Sequence, residues 1–194
     1  LDHFHWATIT DQTAGSAFTV LVTAHDAYNN VTTLDTDLSS FTATESVTFS
    51  TTATAAPDST VPTYNADDLT DGTTLNVNLT TGSFTTSNII LYDASETPTI
   101  TITHNTKTGE SGNITVLPAV IDHFTVTGMD DPIMAGTQDS ITVTAFDEYD
   151  NVKTNYTGSV AITSSDVQAT LPENHAFEVG DLGIHNFNVT LKTV

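Results

Sequence analysis

The sequence predicts an all-β chain of two tandem β-sandwiches, the second lacking its last two strands. Three observations carry that prediction. First, one stretch is written twice, about 120 residues apart. Leu1-Asp2-His3-Phe4, Ala14-Gly15 and Val20, Val22, Ala24, Asp26, Tyr28, Asn30 and Val31 return as Ile121-Asp122-His123-Phe124, Ala135-Gly136 and Ile141, Val143, Ala145, Asp147, Tyr149, Asn151 and Val152. Each copy of such a repeat is one structural unit. Second, apolar and polar residues alternate in many short runs separated by Gly, Asn, Asp and Pro, with no helical period. That alternation marks antiparallel sheets with one buried face. Third, Thr makes up about a fifth of the chain, and Thr with Val and Ile favours strands.

The elements follow in order. Phe18 to Ala24 places 18, 20, 22 and 24 on one face, with Leu21 breaking the polar side. Val47-Thr48-Phe49 is the next strand, then Leu75 to Leu79, Ile89-Ile90-Leu91, Thr99 to Thr103, and Asn113 to Val116. In the second copy, Ser140 to Ala145, Val160-Ala161-Ile162 and His185 to Leu191 alternate in the same way. About seven such strands per unit pack as two facing sheets.

The boundary falls at Leu117-Pro118-Ala119, giving domains 1–119 and 120–194. The short Pro-containing linker predicts two units standing end to end as a semi-rigid rod. Domain 1–119 carries an insertion at about 51–82, rich in Thr, Ala, Asp and Asn, expected at the surface and, from the alternation of Leu75-Asn76-Val77-Asn78-Leu79, as the place of an extra hairpin. There is no Cys, so each domain relies on its apolar core.

Charge excludes some partners. The chain has 24 acidic side chains against Lys107, Lys153 and Lys192, and a net charge of -21. Almost nothing is available to neutralise phosphates, which argues against nucleic acid and against anionic lipid. No run of about 18 apolar residues exists to insert into a membrane. The acidity favours solubility, cation binding or a salty habitat.

The motif Ala-x-Asp-x-Tyr-x-Asn-Val (Ala24 to Val31, Ala145 to Val152) is followed by Val47-x-Phe49 or Val160-x-Ile162. Later, Gly180-Asp181-Leu182-Gly183 leads into Phe187-x-Val189-x-Leu191. This order resembles the bacterial and archaeal immunoglobulin-like tandem repeats of invasin and intimin type. The resemblance covers nearly all of the second copy and about two-thirds of the first. It implies two immunoglobulin-like β-sandwiches at the cell surface, of the kind found in adhesins, surface-layer proteins and filaments. It further implies spacer modules with no catalytic residues, so an enzyme is not expected. Aligning Ile89-Ile90-Leu91 with Val189-Thr190-Leu191 puts Val194 opposite Ala94, after which the first copy and the family continue for two more strands. A second unit without them is expected to expose core side chains such as Phe187 and Val189. Either the missing strands belong to a longer chain, or another subunit supplies them by β-strand addition.

The corner after the second strand is the candidate site. Asp26, Asn29 and Asn30 in the first copy, and Asp147, Glu148, Asp150 and Asn151 in the second, offer closely spaced oxygens suited to Ca²⁺. The alternative is that Asp26 and Asp147 cap the turn through their own backbone. Tyr28 and Tyr149 are expected to pack at the corner. Acidic pairs at Asp67-Asp68 and Asp130-Asp131 are cation sites or solvated loops. His3 and His5, two apart on a strand, can chelate a transition metal or simply pack. N-glycosylation sequons occur at Asn30, Asn78, Asn113, Asn155 and Asn188.

The expected function is an extracellular structural module, with other copies of itself or further modules of a longer chain as partners. The alternative is a carbohydrate-binding module gripping surface glycans through the insertion, where Tyr64 is the sole aromatic and Trp6 is the only Trp of the chain.

Overall fold

The computed structural model describes Leu1–Thr193. It resolves into two compact units, Leu1–Leu117 and one beginning at Pro118. The first contains β1 (His3–Trp6), β2 (Gln12–Thr13), β3 (Leu21–His25), β4 (Glu45–Thr51), β5 (Thr63–Tyr64), β6 (Asp67–Asp68), β7 (Thr73–Val77), β8 (Ser83–Thr85), β9 (Ile89–Ile90), β10 (Ile100–His104), β11 (Lys107–Glu110) and β12 (Val116–Leu117). The second contains β13 (Ile121–Thr127), β14 (Gln138–Asp147), β15 (Ser159–Val160), β16 (His175–Ala176), a 3-10 turn (Val179–Asp181) and β17 (Ile184–Thr190). No α-helix occurs among the described residues, and the fold is all-β and sandwich-like.

In the first unit, sheet β1-β3-β8 faces sheet β11-β10-β4-β7. Alternation decides which residues meet: Phe4, Trp6, Val22 and Ala24 from one sheet, and Val47, Phe49, Ile100 and Ile102 from the other, are all buried. Phe49 is the hub. Trp6 meets it edge-on at 5.8 Å, Phe84 edge-on at 6.2 Å, and Tyr64 stacks on it at 5.2 Å. A parallel pair, β2 with β12, closes the unit: Gln12 N–H donates to the Thr115 carbonyl and Ala14 N–H to that of Leu117, both at 2.8 Å.

The insertion is not a surface loop. It supplies β5, β6 and β7, and it buries Ala53, Ala56, Tyr64, Leu69 and Leu79. Leu75 to Val77 lie in a strand as their alternation predicts and Asp67, Asp68 and Asp71 are exposed, but a few large apolar residues among the Thr and Ala are buried in the core. β7 then pairs along β4, from Glu45 opposite Val77 to Phe49 opposite Thr73.

The second unit has a three-stranded sheet, β13-β14-β17, and a two-stranded one, β15-β16. Its core is Ile141, Val143, Phe177, Phe187 and Val189, with Tyr156, Val160, Ile162 and Leu171 packed against it. Phe187 and Val189 are therefore buried, at 5% and 2% exposure, contrary to the sequence expectation. Phe177, which follows β16, joins them in one cluster, and Tyr156, Val160, Ile162 and Leu171 pack against it. Exposure falls instead on β13: Phe124 is 40% and Val126 58% exposed, whereas Phe4 and Trp6, at the same register positions in the first unit, are 3% and 6%.

Candidate functional site

The repeated corner has the same backbone in both units. Asp26 N–H donates to the Asn30 carbonyl and Asp147 N–H to that of Asn151. Asn29 and Asp150 occupy the left-handed region, at φ 65 and 62, where Asn and Asp are the best tolerated non-glycine residues. The chain then folds back so closely over a glycine that a Cβ on Gly82 would lie 2.5 Å from the Thr32 carbonyl, and one on Gly183 2.6 Å from that of Lys153.

Each corner Asp accepts from the turn it starts. Asp26 Oδ1 accepts from the backbone N–H of Tyr28 (2.8 Å) and Asn30 (2.9 Å), and Asn30 Nδ2 donates to Oδ2 at 3.1 Å. The Asn30 backbone bond, more than any other, holds the Asp26 carboxyl below its usual range. Asp147 is fully buried. Its Oδ1 accepts from Tyr149 N–H and Asn151 N–H, both at 2.9 Å; its Oδ2 accepts from Asn151 Nδ2 at 3.0 Å and from Ala119 N–H at 2.8 Å. Lys153 Nζ also donates to the Pro118 carbonyl, so two corner residues hold the segment that leads into β13. The oxygens of both Asp residues thus face N–H donors in Asx turns. Of the other candidate calcium ligands, Glu148, Asp150, Asn29 and Asn30 are exposed, and Asp150 Oδ1 lies 3.6 Å from His123 Nε2. Tyr28 does not pack: it is 85% exposed, because the turn carries it outward.

An apolar groove of about 360 Å³ opens in the second unit, lined by Val126, Met129, Ile141, Ile162, Leu171 and Val189 among others. In the first unit the corresponding place is filled. Trp6 Nε1 donates to the Gly109 carbonyl of β11 at 2.9 Å, and β11 lies so close that a Cβ on Gly109 would fall 2.2 Å from the Phe4 carbonyl. Ala14, buried under the β2–β12 pair, has an exposed counterpart in Ala135.

The remaining sequence candidates are dispersed. Asp67, Asp68, Asp130 and Asp131 are exposed, and Asp68 caps its own turn through Thr70. The His3 and His5 rings each lie about 5.5 Å from a third imidazole, His25. All five sequon asparagines, Asn30, Asn78, Asn113, Asn155 and Asn188, are exposed. The two aromatics considered for sugar stacking, Trp6 and Tyr64, are buried in the core.

One constellation escaped the sequence reading. His175, Asp181 and His185 bring one donor atom each to within 4.8 Å of one another. They sit on β16, the 3-10 turn and β17. The available signal was two His in strands flanking the Gly180-Asp181-Leu182-Gly183 turn, ten positions apart and thus joined only by the fold.

No family model matches the chain, and no curated protein matches it. Among solved structures it is similar to the surface layer protein SbsC, domains 4-9, at 14% identity and a TM-score of 0.32. That match covers the whole of this chain and 27% of the other, so the chain spans about a quarter of that structure's length. It is also similar to domains 5-6 of the S-layer protein SbsC, at 16% identity and a TM-score of 0.30, covering 100% of this chain and 83% of that one. Neither superposition is close enough to bear on the role of the chain.

Proposed function

We propose that the chain is an extracellular structural module of a surface adhesin, surface layer or filament, and that its second unit is completed by β-strands laid against its open groove. The supporting observation is the contrast between matched positions. β11 covers Phe4 and Trp6, while Val126 is 58% exposed in an apolar groove and Phe124, edge-on to Tyr156, is 40% exposed. Among the described residues β13 is also an edge strand of its sheet, so one side of its backbone has no neighbouring strand. Edge backbone with adjoining apolar sockets is what strand addition requires. A contact of this head-to-tail kind does not close on itself and propagates into a fibre. The five exposed sequons and the acidic surface suit a solvated cell-surface setting.

Sedimentation velocity and electron microscopy across a concentration series test the reading. Concentration-dependent, elongated assemblies are expected, and Val126→Asp, at a solvent-facing position, should abolish them. Monomers alone at every concentration would remove strand addition between copies.

A further inference from the structure

We propose that His175, Asp181 and His185 form a binding site for a divalent transition-metal ion of zinc type. This inference stands independently of the groove. The donor set is two imidazole nitrogens and one carboxylate, which suits zinc, cobalt, nickel or copper and not calcium or magnesium. The geometry is close to what such an ion needs. His175 Nε2 lies 3.1 Å from Asp181 Oδ2, and His185 Nδ1 lies 3.1 Å from Asp181 Oδ1. Ligand atoms at the corners of a zinc tetrahedron are about 3.3 Å apart, given bonds of about 2.0 Å.

The three residues are held before any ion arrives. Asp181 Oδ2 accepts from the Glu178 backbone N–H at 2.8 Å, and a reciprocal capping box links Glu178 and Asp181. That backbone bond, with the two histidines, keeps the Asp181 carboxyl ionised, its pKa lowered to about 2. The two imidazoles stack at 3.6 Å, and Phe187 meets them edge-on at 5.6 and 4.8 Å, so an apolar wall fixes both rings. The other side is open, with side chains 27%, 19% and 31% exposed for His175, Asp181 and His185. An ion can therefore enter and keep a coordination position for water.

Binding needs no change of net protonation. With both rings neutral, the proton on His175 Nε2 moves to Nδ1 and that on His185 Nδ1 moves to Nε2. The freed lone pairs then face the ion, which takes the place the two N–H groups hold beside Asp181.

The strand pairing does not demand an imidazole at position 185. His185 pairs with Val143 as Phe84 pairs with Val22 in the first unit. The first unit meets the packing need with a hydrocarbon ring; the second places an imidazole there and adds His175 and Asp181 beside it. Two imidazoles stacked over one carboxylate is an addition to the scaffold.

The experiment titrates the tag-free chain with Zn²⁺ by calorimetry and with Co²⁺ by visible absorption. One equivalent should bind to the second unit, and Co²⁺ should show the intense bands of a low-coordinate N/O site. His175→Gln and His185→Gln should each weaken binding by at least about tenfold. His3→Gln/His5→Gln, which removes the imidazole pair of the first unit, should leave that equivalent unchanged, and Ca²⁺ should not compete. Long-range ¹H–¹⁵N spectra of the unmodified chain give a readout free of folding artefacts: Zn²⁺ should shift His175 Nε2 and His185 Nδ1 before any other imidazole nitrogen. Equal zinc affinity in the His175→Gln/His185→Gln variant, or imidazole shifts confined to His3, His5 and His25, would overturn the proposal.

Discussion

Replacing Asp147 with Ala should unravel the second unit far more than a single corner residue suggests. Its carboxylate is fully buried and accepts four N–H donors, from Tyr149, Asn151 (twice) and Ala119. Two of the backbone donors, on Ala119 and Asn151, belong to buried residues and cannot turn to water. A buried donor left unpaired costs about 1–3 kcal/mol, and hydrogen bonds to a charged acceptor contribute about 1.5–3 kcal/mol each. Relief of the carboxylate's own desolvation offsets part of this, so a net loss of about 3–5 kcal/mol follows. A domain of this size has a total stability of only about 4–12 kcal/mol. Asp147→Asn retains Oδ1 and opposes an amide to the Ala119 and Asn151 donors, so it should lose about half as much. Hydrogen exchange of β14 and β17 amides in increasing urea reads the second unit. Emission from Trp6, the single Trp of the chain, reads the first unit and should not move. A loss below about 0.5 kcal/mol in Asp147→Ala, the range of neutral surface changes, would refute the reasoning.

Leu69→Ala should destabilise the first unit by about 2–5 kcal/mol, read by the urea midpoint of Trp6 emission, because Leu69 is fully buried. Phe4→Ala should cost about 3–5 kcal/mol by the same assay, while Phe124→Ala, with 40% exposure, should cost under about 1.5 kcal/mol in the exchange assay. Asp166 and Asp181 are both held near pKa 2 against 3.8, Asp166 chiefly by the Lys192 backbone N–H and Asp181 by that of Glu178. A lowered native value stabilises the fold fully above the unfolded value and loses that contribution as pH falls through the native one. Exchange protection of β17 should thus drop between pH 4 and about 2, and Asp166→Asn should flatten that drop. Adding Ca²⁺ to chelator-treated protein should leave the melting midpoints in place, since Asp26 and Asp147 already give their oxygens to N–H donors; a rise that Asp147→Asn abolishes would restore calcium at the corner.

Much of the fold was legible because sheet formation writes itself in period two. Val47, Phe49, Ile100, Ile102, Ile141, Val143, Phe187 and Val189 all face inward as their alternation dictates. The corner was legible because Asp-x-Tyr-x-Asn occurs twice, and a turn needs particular residues at fixed offsets. What stayed hidden depends on long-range packing. β5 and β6 have two residues each, too few for any period to show, so the burial of Tyr64 and Leu69 cannot be read locally. That Phe177 joins Phe187 and Val189 in one core depends on where a loop returns, which alternation does not encode. His175 and His185 meet across a turn, and nothing in their spacing announces a shared partner in Asp181.

The internal repeat serves as a control that a single domain lacks. Where the two copies agree in structure, as at the Asp26 and Asp147 corners and at Gly82 and Gly183, the fold itself accounts for the residues. A difference at one register position marks a place to test for a role beyond folding a sandwich. Phe84 against His185 is such a difference, and so is Trp6 beneath β11 against Val126, 58% exposed at the groove. The first puts an imidazole where the other unit has a packing ring; the second leaves an apolar groove where β11 lies in the first unit. Both fall in the second unit, on the two flanks of β14 at one register position, with His185 across from Val143 on β17 and Val126 across from Val143 on β13. That shared neighbour gives a direct check on coupling. If a strand added beside Val126 moves β14, zinc affinity at His185 should change on assembly; if the sheet is rigid, the two additions act independently.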